Sequence, residues 1–143
     1  MNLNLSNAIA IKQGIATTAA GTTTINGDTL DTQGYEGVLF IIKFGTAASN
    51  NTIKAQQGAA SDLSDGADLA GTSVGVGASD EIVWIDLYRP QERYVRMLGV
   101  RGTSTTIDWG IALLYGATKM PVDNTVAGTI HGELHVSPSE GTP

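Results

Sequence analysis

Two histidines flank a glutamate near the end of the chain, in the sequence HGELH, and imidazole and carboxylate groups are common zinc ligands. On a strand, His131, Glu133 and His135 would project to one side at intervals of roughly 6–7 Å, so one chain could hardly chelate an ion through all three. The glutamate also stands one position too late for the HExxH motif of zinc proteases. The pattern predicts an exposed polar strand over residues 129–136, with a metal shared between copies on a symmetry axis as the alternative.

Three aspartates recur at every third position in a glycine-containing loop. Asp62, Asp65 and Asp68 suggest calcium, because hard cations take several carboxylate oxygens. An EF-hand needs acids at alternate positions and a closing glutamate, and this loop has neither. We therefore expect turn acids or a helix cap there, with one helical turn near residues 62–65.

Residues suited to covalent catalysis are scarce. The chain has no cysteine and two histidines, and it contains no GxSxG nucleophile elbow. The glycine-rich stretch GTSVGVGAS lacks the lysine of a phosphate-binding loop. The fourteen acidic residues could meet in space as a hydrolytic pair, but the sequence indicates no particular two. We expect no catalytic residue, no cofactor and no metal.

Half of the basic charge lies in a short segment that also holds two tyrosines. Arginine and tyrosine are enriched at protein interfaces, which makes Arg96 and Arg101 interface candidates. The alternative is cross-strand ion pairing, worth a few tenths of a kcal/mol per pair. The cluster consists of Arg89, Arg93, Arg96 and Arg101 with Tyr88 and Tyr94, and the expected acidic partners are Glu81, Asp86, Glu92 and Asp108.

Charge and composition exclude several classes of partner. The formal net charge of −6 disfavours nucleic acid, whose nonspecific binding requires basic residues to neutralise phosphates. The first residues lack a basic segment followed by an apolar one, and no apolar run is long enough to span a bilayer, so we expect neither export nor membrane insertion. Only 15% of the residues are charged, which suits extended contact with a large partner because few ions must be desolvated.

The elements that must position any site are strands. Residues 80–115 hold three alternating apolar runs with short polar breaks, which predicts antiparallel strands with one buried face each. Trp109 shares its parity with Ile107 and Ile111 and is expected in the core. The sequence GVLFIIKF at residues 37–44 is apolar at both parities, so this strand either lies beneath a loop in the middle of the sandwich or meets another chain. The fold class predicted is all-β, an antiparallel β-sandwich or jelly roll.

The chain divides into three zones that together form a single domain. Residues 1–35 form an N-terminal arm and a first hairpin, residues 36–119 the β-sandwich core, and residues 120–143 a C-terminal tail. The dipeptide Asn26-Gly27 predicts the hairpin turn, since both residues accept positive φ. Its strands would be residues 22–25 and 28–30.

Three segments resemble a recurring pattern of small structural proteins of tailed bacteriophages. They are DTQGYEGVLF at residues 31–40, SDGADLAGTSV at residues 64–74 and RPQERYVRMLGVRG at residues 89–102, in that family's order. The resemblance covers most of residues 31–121. It implies a capsid decoration, or cement, protein that binds the outside of the expanded icosahedral head and stabilises contacts between capsomers. The protein would be made in the host cytoplasm and reside on the outer surface of the virion capsid.

The partners that this resemblance implies are the major capsid protein and further copies of the chain. Homotrimers at three-fold positions are expected first, and dimers at two-fold positions are the alternative. Val38, Phe40 and Ile42 of the doubly apolar strand are the candidates for contact between copies. Leu3 and Leu5 would anchor the N-terminal arm, which could extend over the shell by strand addition.

Other functions are left open by the sequence. A receptor-binding or carbohydrate-binding module on the same virion could use Trp84 and Trp109 as stacking platforms. A head-completion or tail-tube protein would differ in copy number, because connectors form rings of about a dozen subunits. An enzyme ranks last among these alternatives.

Overall fold

A computed structural model describes residues 4–47, 50–102, 104–124 and 130–143. Within these ranges the chain forms one four-residue helix and two antiparallel sheets packed face to face, and no helix there is long and apolar enough to cross a bilayer. The elements are α1 (Leu5–Ala8), β1 (Ala10–Ile15), β2 (Thr18–Gly21), β3 (Ile25–Asn26), β4 (Leu30–Asp31), β5 (Gly37–Phe44), β6 (Asn51–Gly58), β7 (Ala67–Asp68), β8 (Val74–Val76), β9 (Ile82–Tyr88), β10 (Tyr94–Val100) and β11 (Thr105–Tyr115). The predicted β-sandwich is confirmed.

The two sheets divide the three predicted central strands between them. The first sheet has the order β1-β11-β5-β9, with β2 also pairing β11. The second has the order β3-β10-β6-β7, with β4 also on β10 and β8 also on β6. The chain therefore crosses between sheets after β9 and again after β10, so these three consecutive strands alternate between the two sheets.

The core lies between the inner faces of the sheets. Alternate residues of β5 point inward and are completely buried, because the period of a strand sends successive side chains to opposite faces. Each such side chain contributes roughly 1.5–3 kcal/mol by leaving water. The fully buried large side chains include Val38, Phe40, Ile42 and Phe44 from β5, Ile53 from β6, Val95 and Met97 from β10, and Ile107 and Leu114 from β11.

The predicted hairpin at Asn26-Gly27 is wrong. Strands β3 and β4 do not pair with each other but lie one after the other along β10, so the chain continues in one direction through the dipeptide. The Gly27 N–H donates to the Met97 carbonyl at 2.8 Å. A β-carbon at Gly27 would collide with the carbonyl oxygens of Gly14 and Met97, so this glycine permits close backbone approach and not a turn.

The C-terminal segment covers the β1 edge of the first sheet. Asn124 Oδ1 accepts the Ile11 N–H at 2.9 Å, and its Nδ2 donates to the carbonyls of Ser6 at 2.7 Å and Ile9 at 2.8 Å. Residue 129 of the predicted tail strand lies outside the described residues. Ile130 forms an isolated bridge and residues 131–136 form no strand, which corrects that prediction. These residues are exposed, so no buried face holds them in a sheet.

Candidate interaction surface

The outer face of the first sheet is largely apolar. Residues directly opposite one another in the register share a face, and two rows run across the sheet from β1 to β9. One row is Ile11, Leu113, Leu39 and Asp86, and the next is Gln13, Ile111, Ile41 and Trp84. A third, shorter row is Trp109, Lys43 and Ile82. We call the apolar members of these rows the outer platform: Ile11, Leu39, Ile41, Ile82, Trp84, Trp109, Ile111 and Leu113.

Exposure is concentrated at the two tryptophans and at the β9 side. Trp84 is 62% exposed, Ile82 56% and Trp109 37%, while the central aliphatic members are half-buried by their neighbours. Large aromatic side chains that remain this open on one flat face are typical of contact surfaces. The outer platform is therefore the strongest candidate site on the described surface.

A β-bulge places Trp109 on this face. The register of β11 against β5 shifts between Ile107 and Trp109, so Ile107 points into the core and Trp109 points out. After the bulge the inward positions are Gly110, Ala112 and Leu114. The expectation that Trp109 packs in the core is therefore wrong, because one extra residue reverses the parity of everything that follows it.

Polar groups at the border of the outer platform are paired within the chain. Lys43 Nζ lies 2.6 Å from Asp108 Oδ2 and 2.8 Å from Asp80 Oδ1, and these hydrogen bonds raise the pKa of Lys43. The Tyr115 hydroxyl donates to Asp86 Oδ1 at 2.5 Å. Burial, followed by this hydrogen bond, raises the pKa of Tyr115 to about 12. The Lys43 ammonium and the Tyr115 phenol therefore stay protonated at neutral pH and keep donating to their acidic neighbours.

The outer face of the second sheet is polar instead. Arg96 Nε donates to Gln56 Oε1 at 2.9 Å, and Gln56 Nε2 donates to Asp68 Oδ1 at 2.7 Å. Lys54 Nζ completes the network with an ion pair to Asp68 at 2.6 Å, and these two donors lower the pKa of Asp68. The network spans β10, β6 and β7, so the structure gives Arg96 an intramolecular role; an interface role for it stays a prediction.

Arg101 is buried, and the interface predicted for it has no exposed group to use. Its guanidinium is almost enclosed and donates to backbone carbonyls: Nε to Thr23 at 2.8 Å, and one terminal nitrogen to Ala19 at 2.6 Å and Thr105 at 2.9 Å. Arginine suits this task because its planar fork carries several donors in fixed directions. Arg101 therefore ties β2 and the following loop to the start of β11.

The interface predicted for Val38, Phe40 and Ile42 is also corrected. All three are completely buried between the two sheets, so they contact the core of their own chain and present nothing to another copy. The outward apolar residues of the same strand are Leu39 and Ile41, which belong to the outer platform. The sequence does not determine whether the even-numbered or the odd-numbered residues of this strand face the core, because both sets are apolar.

The remaining candidates are Leu3, Leu5 and the other arginines. Leu3 lies outside the described residues, and Leu5 is 68% exposed at the start of α1. The other arginines have acidic partners different from those predicted. Arg93 forms a bidentate pair with Asp31 at 2.7 and 2.9 Å, and Arg89 lies 3.7 Å from Glu36.

The aspartate loop and the HGELH segment do not gather ligands. No group of three or more histidine or acidic side chains in the described ranges could hold a metal ion. The loop residues bind their surroundings: Asp62 accepts the Ser64 N–H at 3.0 Å, Asp65 the Ala59 N–H at 2.9 Å, and Asp68 pairs with Lys54 at 2.6 Å. His135 Nε2 lies 2.9 Å from Glu133 Oε1 on the exposed tail. Asp62 and Asp65 act as turn acids and Asp68 lies on β7, while the predicted helical turn is absent from the described loop.

Comparison with solved structures finds a similar fold. The sequence matches no family model and no curated protein. The crystal structure of the PBSX exported protein XepA is similar to this chain with a TM-score of 0.56 at 18% sequence identity. The similarity covers 96% of this chain and 46% of that chain, so this chain spans about half the length of its structural neighbour. At this identity the similarity shows a shared fold.

Proposed function

We propose that this protein is a structural protein of a tailed-phage virion, a capsid decoration protein that binds the outer surface of the expanded head and stabilises contacts between capsomers. The outer platform is the observation that carries the proposal. This face holds two exposed tryptophans among aliphatic side chains. Covering it with a second protein surface is favourable by roughly 25 cal/mol per Å² of apolar area that leaves water. No reaction is part of this function.

A resemblance in sequence supports a phage role, beside a fold shared with the PBSX exported protein XepA. The three segments at residues 31–40, 64–74 and 89–102 resemble small structural proteins of tailed phages. In the structure these segments include β5, the β7 loop and β10, all of them sandwich elements, so the shared residues are those that build the fold.

The proposed mechanism is binding that favours the assembled shell. A protein that binds the closed lattice and not its dissociated subunits stabilises the lattice by mass action. Aromatic anchors near the middle of a dry patch usually supply most of such binding energy. The major capsid protein is the proposed partner, and the outer capsid surface the proposed location. Copies would also contact each other, as trimers or dimers.

The test mixes the purified full chain with expanded heads of the cognate phage assembled without it. We expect saturable binding at a fixed ratio to the major capsid protein, measured on sedimented heads by gel densitometry, and a higher melting temperature of the heads. The variant carrying Trp84→Ala and Trp109→Ala should bind roughly several hundred-fold more weakly, as expected for two interface anchors of about 2 kcal/mol each.

The matched control is Tyr94→Ala, which removes an aromatic side chain from the outer face of the second sheet. Binding by this variant should equal that of the unaltered chain. Equal losses in both variants would argue against the outer platform as the contact. Absence of binding by the unaltered chain would overturn the proposed function.

A second candidate function is carbohydrate binding, and the exposed tryptophans favour it. Trp84 on β9 is level with Ile111 on β11, two strands away, and Trp109 lies two residues from Ile111 along β11. Standard strand spacings then place the α-carbons of the two tryptophans roughly 12 Å apart. Sugar rings stack on aromatic faces at such flat sites. Binding of the isolated protein to a glycan array, lost in Trp84→Ala, would establish this function instead.

A further inference from the structure

Strand β9 forms an open edge of the first sheet. It pairs with β5 along one side, and among the described strands none pairs with its other side. The β1 edge differs, because the Asn124 amide engages backbone groups of Ile9 and Ile11 there. A long edge strand with free backbone groups is a template for pairing with another chain.

The backbone groups that face this edge belong to alternate residues. The Arg89 N–H donates to the Glu36 carbonyl at 2.7 Å, and the Phe44 N–H donates to the Glu81 carbonyl at 3.3 Å. Both bonds continue the β5–β9 register, so the odd-numbered residues of β9 direct their N–H and C=O groups toward β5. The even-numbered residues direct theirs away from the sheet; they are Ile82, Trp84, Asp86 and Tyr88.

Several of the usual protections of an edge strand are missing from β9. Lysine, proline and a bulge are all absent from Ile82–Tyr88. Its one charged side chain, Asp86, accepts the Tyr115 hydroxyl, and Tyr88 is 59% exposed. A groove of about 550 Å³ runs between the strand and a wall that contains Thr72 and Val74. An added strand would enter along this groove.

We propose that a second copy of this chain occupies the edge, with the two β9 strands antiparallel about a two-fold axis at Ile85. This register overlaps the whole of both strands. Trp84 then exchanges backbone hydrogen bonds with Asp86 of the second copy, and Ile82 with Tyr88 of the second copy. Each outward N–H and C=O group of the strand gains a partner, and Ile82 packs beside an aromatic ring.

Charge complementarity selects a second copy as the occupant. Glu81 immediately precedes the strand and Arg89 immediately follows it, so its two ends carry opposite charges. In the full-overlap register Glu81 of each copy lies opposite Arg89 of the other. Both are exposed at the surface, where Arg89 lies 3.7 Å from Glu36 and the Glu81 carboxylate accepts the Gly77 N–H at 2.9 Å. A parallel arrangement would bring like charges together instead.

This pairing does not depend on the proposed function. It would join the first sheets of two copies into one continuous sheet and place their two outer platforms side by side. Its tests use the free protein in solution, so its failure and the failure of capsid binding are separate results.

The first test measures mass and backbone protection of the full chain. Sedimentation equilibrium over a range of concentrations should show a dimer of twice 14.8 kDa. Amide exchange followed by NMR should show protection of Trp84 and Asp86 that rises with concentration, while Val83 and Ile85 are protected at every concentration. A monomer throughout, a trimer, or a dimer without protection of the even-numbered amides would overturn the proposal.

The second test examines the register by charge reversal. Glu81→Arg alone and Arg89→Glu alone should each raise the dimer dissociation constant by about ten-fold, because two attractive pairs become repulsive. The double variant should restore the dissociation constant of the unaltered chain, since it exchanges the positive and negative charges at the two ends of the strand and leaves every pair attractive. Additive weakening in the double variant would refute this register.

A matched pair of variants at one position isolates the backbone contribution. Trp84→Pro removes an N–H that points away from β5, and proline is tolerated at such edge positions. Trp84→Ala removes the same side chain but keeps the N–H. We expect dimerisation to be weaker in the proline variant than in the alanine variant by at least about ten-fold, with monomer folding checked by circular dichroism. Equal dissociation constants in two folded variants would contradict pairing through the backbone.

Discussion

The outer faces of the two sheets differ in chemistry although both sheets bury equally apolar inner faces. On the second sheet, Arg96, Gln56 and Asp68 bond to one another across three strands. On the first sheet the corresponding positions hold the outer platform, where Ile41 lies between Trp84 and Ile111. The second face satisfies its polar groups within the chain, whereas the first leaves apolar area in water.

This difference indicates that the outer face of the first sheet is the surface that contacts a partner. A stable fold requires apolar inner faces on both sheets, but it does not require an apolar outer face. Ion pairs at the border, such as that of Lys43 with Asp108, limit the number of uncompensated charges that a partner would have to desolvate. The three predictions below concern residues that create or border these two faces, from the largest expected effect to the smallest.

Gly110→Val tests the bulge that turns Trp109 outward. A β-carbon at Gly110 would collide with the Ile15 side chain inside the core, so we expect the free energy of unfolding to fall by about 1–3 kcal/mol. The matched control is Gly75→Val on β8, where no described atom lies within 4 Å of the new β-carbon, and the change should stay within about 0.5 kcal/mol. Urea denaturation measures both, and equal losses would contradict the tight packing beneath the bulge.

Tyr115→Phe tests the polar border of the first sheet at high pH. The pKa of Tyr115 is raised to about 12, so between its ordinary value of about 10 and that value the unfolded chain ionises first, and stability falls as pH rises. The phenylalanine variant should lose less stability over this interval in urea titrations. The absorbance change at 295 nm that titrates near pH 12 should also disappear, and its persistence would contradict the assignment.

Arg93→Gln tests the second sheet at low pH, with the smallest effect. The hydrogen bond from Arg93 lowers the pKa of Asp31, so this pair contributes stability above the ordinary pKa of an aspartate and loses it as pH falls through the lowered value. In the variant the loss of stability on acidification should be shallower, and carbon NMR should show the pKa of Asp31 returning upward. An unchanged pKa would mean that Arg93 does not act on this carboxylate.

Strand positions were predictable because they depend on local alternation. The sequence predicts β5 at residues 37–44, as the structure has it, and three strands within residues 80–115 that correspond to β9, β10 and β11, since each combines an apolar run with polar breaks. Sheet membership was not predictable, because the pairing of β5 with β11 joins residues far apart in the chain. Local pattern carries no information about such partners.

The errors have particular physical causes. Asn26-Gly27 has turn chemistry, but the contacts of β3 and β4 with β10 outweigh the local preference. The bulge before Trp109 reversed the parity on which its burial was predicted, and Gly110 was the one local signal of it. The prediction for Arg101 failed because its burial depends on the carbonyls of Thr23 and Ala19, which are distant in the chain. The outer platform was missed for the same reason, since it exists only once four strands are aligned.

The bonds that Asn124 makes along β1 have a consequence for self-assembly. A sheet open at both borders can recruit chains without limit and grow into a fibre. The side-chain amide of Asn124 bonds to backbone groups of Ile9 and Ile11 and so blocks the addition of a strand at the β1 border. Pairing of the first sheet through β9 alone therefore joins two chains and then stops.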